Sequence, residues 1–241
     1  MDSAMLLGLQ SQRLLQRRMD IAANNLANVS TTGFKADQLV VEEITPPETF
    51  ATEGPRDIRF SRDLTVARDL RQGPITVTGN PLDLAIEGDG YFTVQGEDGP
   101  LYTRDGAFTL DGSGQLVTGD GRPVLNQGGA PIVIDPRSEQ PTIDRQGVIR
   151  IAGVEAGRVG VVQFDRPGAL ERVGENLWDA GDQPSAPAEG QVIQGALESS
   201  NVIAIVEMTN LIQISRAYES AARVVRSADD LRQRAIDRLG R

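Results

Sequence analysis

The chain has 241 residues, 34 Asp and Glu against 24 Lys and Arg, a net charge of −10, 4% aromatic residues, and neither Cys nor His. So acidic a body excludes the clustered basic surface that nucleic acid requires. The missing residue types remove disulfides, thiolate metal sites, the commonest general base and the commonest transition-metal ligand, so no catalytic residue, cofactor or metal is expected.

Residues from Ser3 to about Asn28 read as a helix. Met5, Leu9, Gln12, Gln16, Met19, Ala23 and Leu26 recur at alternating steps of four and three, the spacing that keeps one stripe facing a partner helix. Leu7, Leu14 and Ile21 add a flanking line. Asn24, Asn25 and Asn28 place amides on this otherwise apolar helix, where they can fix register between neighbouring helices. Thr31, Thr32 and Gly33 stop it, since Gly suits the left-handed conformation that closes a helix end. No run reaches a membrane span. Gln10, Gln12, Arg13, Gln16, Arg17 and Arg18 interrupt any leader-like apolar stretch, so membrane insertion and a cleaved signal peptide are not expected.

Residues 37–75 read as an extended connection with one or two strands, broken at Pro46 and Pro47. From about Leu82 to Phe164 apolar and polar residues alternate, with Leu82, Leu84 and Ile86 on one face and Phe92 and Val94 on the face of the next strand. Further strands are expected near Ala107–Leu110, Gln115–Thr118, Ile132–Ile134, Val148–Ile151 and Arg158–Phe164. Five Asp-Gly pairs, beginning at Asp89, Asp98, Asp105, Asp111 and Asp120, supply glycines for the positive φ of tight turns. Short strands so spaced predict an antiparallel barrel or sandwich-like module.

Residues 181–190 read as a surface linker. A second long helix is expected from about Asn201 to Leu239, capped among Ser199, Ser200 and Asn201. Leu211, Ile214, Tyr218, Ala221, Val225, Ala228, Arg232, Ala235 and Leu239 mark its stripe. Arg232, Arg234 and Arg238 complement the dipole of its last turns. The termini carry +1 over residues 1–30 and +2 over residues 205–241, leaving −13 between them. Ion pairs such as Arg216 with Glu219 and Arg226 with Asp230 are expected along the second helix.

Several local motifs do not carry chemistry. Glu87-Gly-Asp-Gly-Tyr-Phe runs into a strand, so no helix N-terminus receives a phosphate. Asp111-Gly-Ser-Gly-Gln lacks the acid ligands of a calcium loop. Asn28-Val-Ser matches a glycosylation sequon at a helix end. Glu97 and Asp98 lie in a turn with nothing to mark them as catalytic. Trp178, the only Trp, falls outside the β pattern and argues against the competing reading, a carbohydrate-binding β module with aromatic platforms.

Three segments carry a resemblance. Ala22-Ala-Asn-Asn-Leu-Ala-Asn-Val-Ser-Thr-Thr-Gly-Phe-Lys35 resembles the N-terminal signature of the bacterial flagellar rod and hook family. Leu82-Asp-Leu-Ala-Ile-Glu-Gly-Asp-Gly-Tyr-Phe, Tyr102-Thr-Arg-Asp-Gly-Ala-Phe and Leu116-Val-Thr-Gly-Asp-Gly resemble its central β domain. Leu197-Glu-Ser-Ser-Asn-Val, Glu207-Met-Thr-Asn-Leu and Arg216-Ala-Tyr-Glu resemble its C-terminal signature, with Ile203-Ala-Ile-Val standing where a polar stretch is more usual. Within the family the chain looks most like proximal rod members, with distal rod members next.

The resemblance implies an α+β protein: N- and C-terminal helices forming a coiled-coil-like pair around a central antiparallel all-β domain. The divisions are 1–36, 37–75, 76–180, 181–198 and 199–241. It implies a structural rod subunit of the basal body that transmits torque from motor to hook. Its partners would be copies of itself, other rod and hook-basal-body proteins and the flagellar type III export apparatus, with assembly in the periplasm. The implied assembly interface is Leu9, Met19, Asn24, Asn25, Leu26, Asn28, Gly33, Phe34, Lys35, Leu211, Ile214, Tyr218, Val225 and Leu239.

Overall fold

The computed structural model describes residues 2–42, 63–135, 137–174 and 176–239. Pro46, Pro47 and most of the expected connection lie outside them. Helices stand at the two ends and antiparallel β structure between them, an α+β arrangement. The chain divides into two compact units, the first drawn from residues 1–27, 37–68 and 203–241, the second from 28–36 and 69–202.

Unit one holds helix α1 (Asp2–Ala27), helix α2 (Ala204–Leu239) and the antiparallel strands Asp37–Glu42 and Asp63–Arg68. An ion pair of 3.4 Å joins Arg68 Nε to Asp37 Oδ1 across those strands. The helices pack against one another and run antiparallel: Gly8 lies against Val225 near one end, and Asn25 meets Glu207 near the other. At about 1.5 Å per residue α2 is roughly 54 Å long. Leu211, Ile214, Tyr218, Ala221 and Val225 are half-buried, as the stripe expected on α2 requires.

The stripe on α1 is turned. Leu9, Gln16 and Ala23 are exposed, whereas Gly8, Gln12, Leu15, Met19, Ala22 and Leu26 face inward or lie half-buried. The cause is close approach: a Cβ on Gly8 would lie 2.5 Å from Val225 Cγ2, so the small residue takes the seam. Among the described residues no helix is long and apolar enough to cross a membrane.

Unit two is built on a six-stranded antiparallel sheet. Its order is Glu171–Arg172, Leu177–Asp179, Pro100–Thr103, Tyr91–Gln95, Val161–Phe164 and Ser185–Pro187. The pleat sends alternate residues to opposite faces, and both faces are buried. Phe92, Val94 and Leu177 join Leu84, Ile86, Phe108, Leu116, Ile134 and Ile149 in the larger core. Tyr91, Tyr102 and Trp178 join Phe164 and Leu170 in a smaller aromatic one. Phe92 meets Phe108 edge-on at 5.2 Å, and Tyr102 meets Phe164 edge-on at 4.7 Å, geometries favoured by the ring quadrupole. Short two- and three-stranded ladders fill out the unit, including Gln191–Gln194 against Leu84–Glu87 and Ala196–Glu198 against Ile75–Val77.

Several local expectations shift. Leu84, Ala85 and Ile86 are all buried, because this strand is covered on both faces rather than one. Val148–Ile151 is a strand as expected, while the run 158–164 belongs to two strands, Val154–Arg158 and Val161–Phe164. Of the five Asp-Gly glycines only Gly90 and Gly121 adopt positive φ, +149° and +82°. Gly106 answers a different demand, since a Cβ there would overlap the Leu84 carbonyl oxygen. Within the expected linker, Ser185–Pro187 is exposed but pairs with Val162–Phe164 at the sheet edge.

The expected helix cap fails as well. Helix α2 starts at Ala204, with Val206 and Glu207 N–H groups bonding the Ile203 carbonyl, and Asn201 is used elsewhere.

Candidate assembly interface

On unit one, Asn25 is the polar centre. Its side chain is 2% exposed; its Oδ1 accepts from Asp37 N at 2.9 Å, and its Nδ2 donates to Asp37 O at 2.9 Å and to Glu207 Oε1 at 3.4 Å. One amide thus closes both backbone groups at the start of a strand and links α1 to α2. It lines a cleft of about 310 Å³ with Arg18, Ile21, Glu207, Asn210 and Gln213.

The outward side of α2 is apolar over its first turns. Ile205 is 66% exposed and Ile212 55%, and Val206 and Met208 are exposed beside them. Leu9 on α1 is likewise exposed, at 42%, so it lies off the seam between the two helices. Met19 and Leu26 are half-buried and Asn24 exposed; the side chain of Leu239 lies outside the described residues. Arg216, Glu219, Arg226 and Asp230 are exposed. The ion pairs expected among them are absent from the six formed by the described residues. Arg226 Nε bonds the Ala222 carbonyl instead, at 3.4 Å. Exposed charges on flexible stems gain too little from pairing to be held in one geometry.

The remaining signature residues belong to unit two, where Asn28 is half-buried and Gly33, Phe34 and Lys35 are buried. Asn28 Oδ1 accepts from Thr31 Oγ1 at 3.1 Å, tying the turn that follows α1. Gly33 adopts φ +69°, and a Cβ there would lie 2.6 Å from the Arg104 carbonyl carbon. Its N–H donates to the Glu198 carbonyl at 2.8 Å. Phe34 sits in a small core with Ala36 and Val202, with the Arg172 guanidinium 5.1 Å from its ring centroid.

Lys35 is the only lysine of the chain, and it is 3% exposed. Its Nζ donates to Glu198 Oε1 at 2.6 Å and to the Arg71 carbonyl at 2.9 Å. Arg104 Nη1 reaches Glu198 Oε2 at 3.2 Å, and Gly73 N–H donates to Oε1 at 3.0 Å. Burial, offset in part by the Glu198 carboxylate, moves the Lys35 ammonium below its usual range. Asn201 completes the cluster: its Oδ1 accepts from Ala36 N, and its Nδ2 donates to the Asp69 and Arg71 carbonyls. Sequence reasoning placed Lys35 and Phe34 in an interface and missed Glu198, Arg104 and Asn201. A charged residue inside each signature was the available signal.

Motifs that could suggest ligands are consumed internally. The Asp111 carboxylate accepts from Ser113 N, Ser113 Oγ and Gln115 N, each at 2.8 Å, which holds its carboxyl below the usual range. In the loop Glu87–Gly90, Gly88 N–H donates to Gln72 Oε1 and Gly88 O accepts from Arg104 Nη2. Trp178 is 5% exposed in the aromatic core, so it offers no surface platform to a sugar.

Residues 8–35 match the family model for flagella basal body rod proteins. Residues 85–151 match that for the flagellar hook protein FlgE/F/G D1 domain, and residues 193–238 that for the flagellar basal body rod FlgEFG protein C-terminal region. The chain is 42% identical over 245 residues to flagellar basal-body rod protein FlgF of Caulobacter vibrioides, covering 100% of this chain and 99% of that protein. It is 33% identical over 250 residues to FlgF of Mesorhizobium japonicum, with the same coverage, 100% and 99%. Against flagellar basal-body rod protein FlgG of Bacillus subtilis it is 31% identical over 255 residues, covering 95% and 96%.

Proposed function

This chain belongs to the flagellar basal-body rod protein family, and from that premise we propose that it is the proximal rod subunit. The observation that carries the choice is end-to-end correspondence with FlgF relatives, 42% identical in the first case, against 31% and 95% coverage of the chain for FlgG of Bacillus subtilis. The subunit is structural, a piece of the basal-body rod of the motility apparatus. Torque passes through it from motor to hook, and stiffness in such a part comes from close-packed helix interfaces.

In this reading α1 and α2 form a coiled-coil-like pair whose outer faces meet neighbouring copies and other rod or hook-basal-body proteins. The pairing is supported by the inward stripe on α2 and by the Gly8–Val225 approach. Contact with neighbours is supported by the apolar outer side of α2, with Leu9 exposed on α1. Met19, Asn24, Asn25, Leu26, Leu211, Ile214, Tyr218, Val225 and Leu239 set the geometry of the pair and its register with neighbours. Asn28, Gly33, Phe34 and Lys35 anchor the signature turn. The chain reaches the periplasm through the flagellar type III export apparatus.

The test is complementation of a strain lacking the gene with Leu26→Asp and Val225→Asp variants. A carboxylate forced into a helix seam must protonate or open the interface. Soluble protein with a native β spectrum, no rod incorporation and no swimming is expected. Normal motility with either variant would contradict the assembly role. A density map of purified basal bodies that places the chain next to the hook would overturn the proximal assignment.

A further inference from the structure

The Glu198 carboxylate is the meeting point of four segments distant in sequence. It accepts from Lys35, Gly73 and Arg104, and the backbone carbonyl of the same residue accepts from Gly33. Lys35, Glu198 and Arg104 are 3%, 1% and 6% exposed, so water screens none of them. Within hydrogen-bonding distance the charges do not balance, because two cations share one carboxylate; Asp69 acts on Lys35 only at longer range and is itself paired with Arg71.

The three groups are therefore not equivalent. Without Lys35 a matched Arg104–Glu198 pair remains. Without Glu198 two cations stay buried, with backbone carbonyls as their remaining hydrogen-bond partners. Breaking a buried pair by removing one partner is strongly destabilising, whereas replacing all the charges by apolar groups is often neutral.

We infer that the Lys35–Glu198–Arg104 cluster is a closing lock for unit two: the sheet and its two cores become stable only when the signature turn and the strand ending at Glu198 are both seated. The order along the chain gives the lock its use. All six strands of the main sheet end by Pro187, before Glu198 is reached. A chain made or threaded from its N-terminus holds every strand of that sheet, along with Lys35 and Arg104, while the neutralising carboxylate is still missing. Closure waits for the C-terminal signature, so the β unit stays threadable until the chain is nearly complete.

The test compares the full-length protein with Glu198→Gln, Lys35→Met and the triple Lys35→Met/Arg104→Met/Glu198→Met. Amide exchange over residues 84–103 and 161–179 reports the sheet. Acylation of Lys35, the only lysine side chain, read by peptide mapping apart from the more reactive α-amino group, reports the lock. Glu198→Gln should raise sheet exchange by roughly 150- to 4,000-fold, the factor corresponding to a broken buried pair, and should make Lys35 readily acylated. Lys35→Met should change exchange less than about tenfold, and the triple variant should keep a protected sheet. The inference is overturned if Glu198→Gln loosens only residues 31–36 and 196–201, or if Lys35→Met is as damaging. Should Glu198→Gln fail to accumulate, the triple variant decides: a folded triple supports the charge lock, and an unfolded one overturns it in favour of side-chain shape.

Discussion

On the strand Tyr91–Gln95 four consecutive residues are buried, whereas none of the described side chains of the 36-residue helix α2 is. Unit two covers both faces of its sheet with its own side chains. Unit one leaves apolar surface along the start of α2 and keeps only Ala22 and Asn25 fully buried among the described side chains of α1. The difference teaches where each unit's stability comes from. A sheet buried on both faces completes its hydrophobic transfer within one chain, while a pair of long helices can cover only one stripe of each partner. The remaining apolar surface on α2 suits a subunit whose final burial comes from its neighbours in the rod.

The comparison is sharpest in the core of unit two. Phe92→Ala removes a ring that packs on Phe108 and lies within the larger core. It should cost about 3–5 kcal/mol, read by denaturant unfolding followed through Trp178 fluorescence. A loss under about 1 kcal/mol would mean that this core is looser than its burial indicates.

Asn25→Ala tests the one polar anchor of unit one. It strips both backbone groups of Asp37 of their partner and frees Glu207. A cost of about 1–3 kcal/mol is expected, visible as faster amide exchange at Asp37 and along the facing turns of α1 and α2. Unchanged exchange there would show that water replaces the amide without penalty.

Asp105 offers a smaller effect with a defined pH dependence. Burial raises its carboxyl above the usual range; the Ala107 N–H opposes this, and the charges of Asp120 and Asp83 reinforce it. A carboxyl with a raised folded pKa carries no penalty well below its unfolded value. The penalty grows as pH rises through the folded pKa and is complete only above it. Asp105→Asn should therefore raise Tm at pH 7, by less than about 1 kcal/mol of stability, with a gain that shrinks toward pH 4. A gain that instead grew on acidification would refute the sign.

Ile212→Asp should have the least effect on the subunit itself. The side chain is 55% exposed, so stability should stay within about 0.5 kcal/mol of the parent. Rod incorporation in complemented cells should nevertheless be lost. Unimpaired incorporation would remove the outer side of α2 from the interface and weaken the contrast between the two units.

Sequence by itself determined the two terminal helices, the inward stripe of α2, the strand-rich centre and the three signatures. Each of these is written in local periodicity or in a contiguous run of residues. Tertiary structure alone decided which residues of α1 face α2. Leu9 looked the better seam residue, but Gly8 lets the helices approach, and periodicity reports which face is apolar rather than how near a partner comes. It also decided that Asn201 ties the Ala36, Asp69 and Arg71 backbone instead of capping α2, and that Ser185–Pro187 extends a sheet. The joining of Lys35 to Glu198 lay furthest out of reach. Their 163-residue separation leaves no local trace, because a buried ion pair is specified by the desolvation that surrounds it, and burial exists only once the chain has folded.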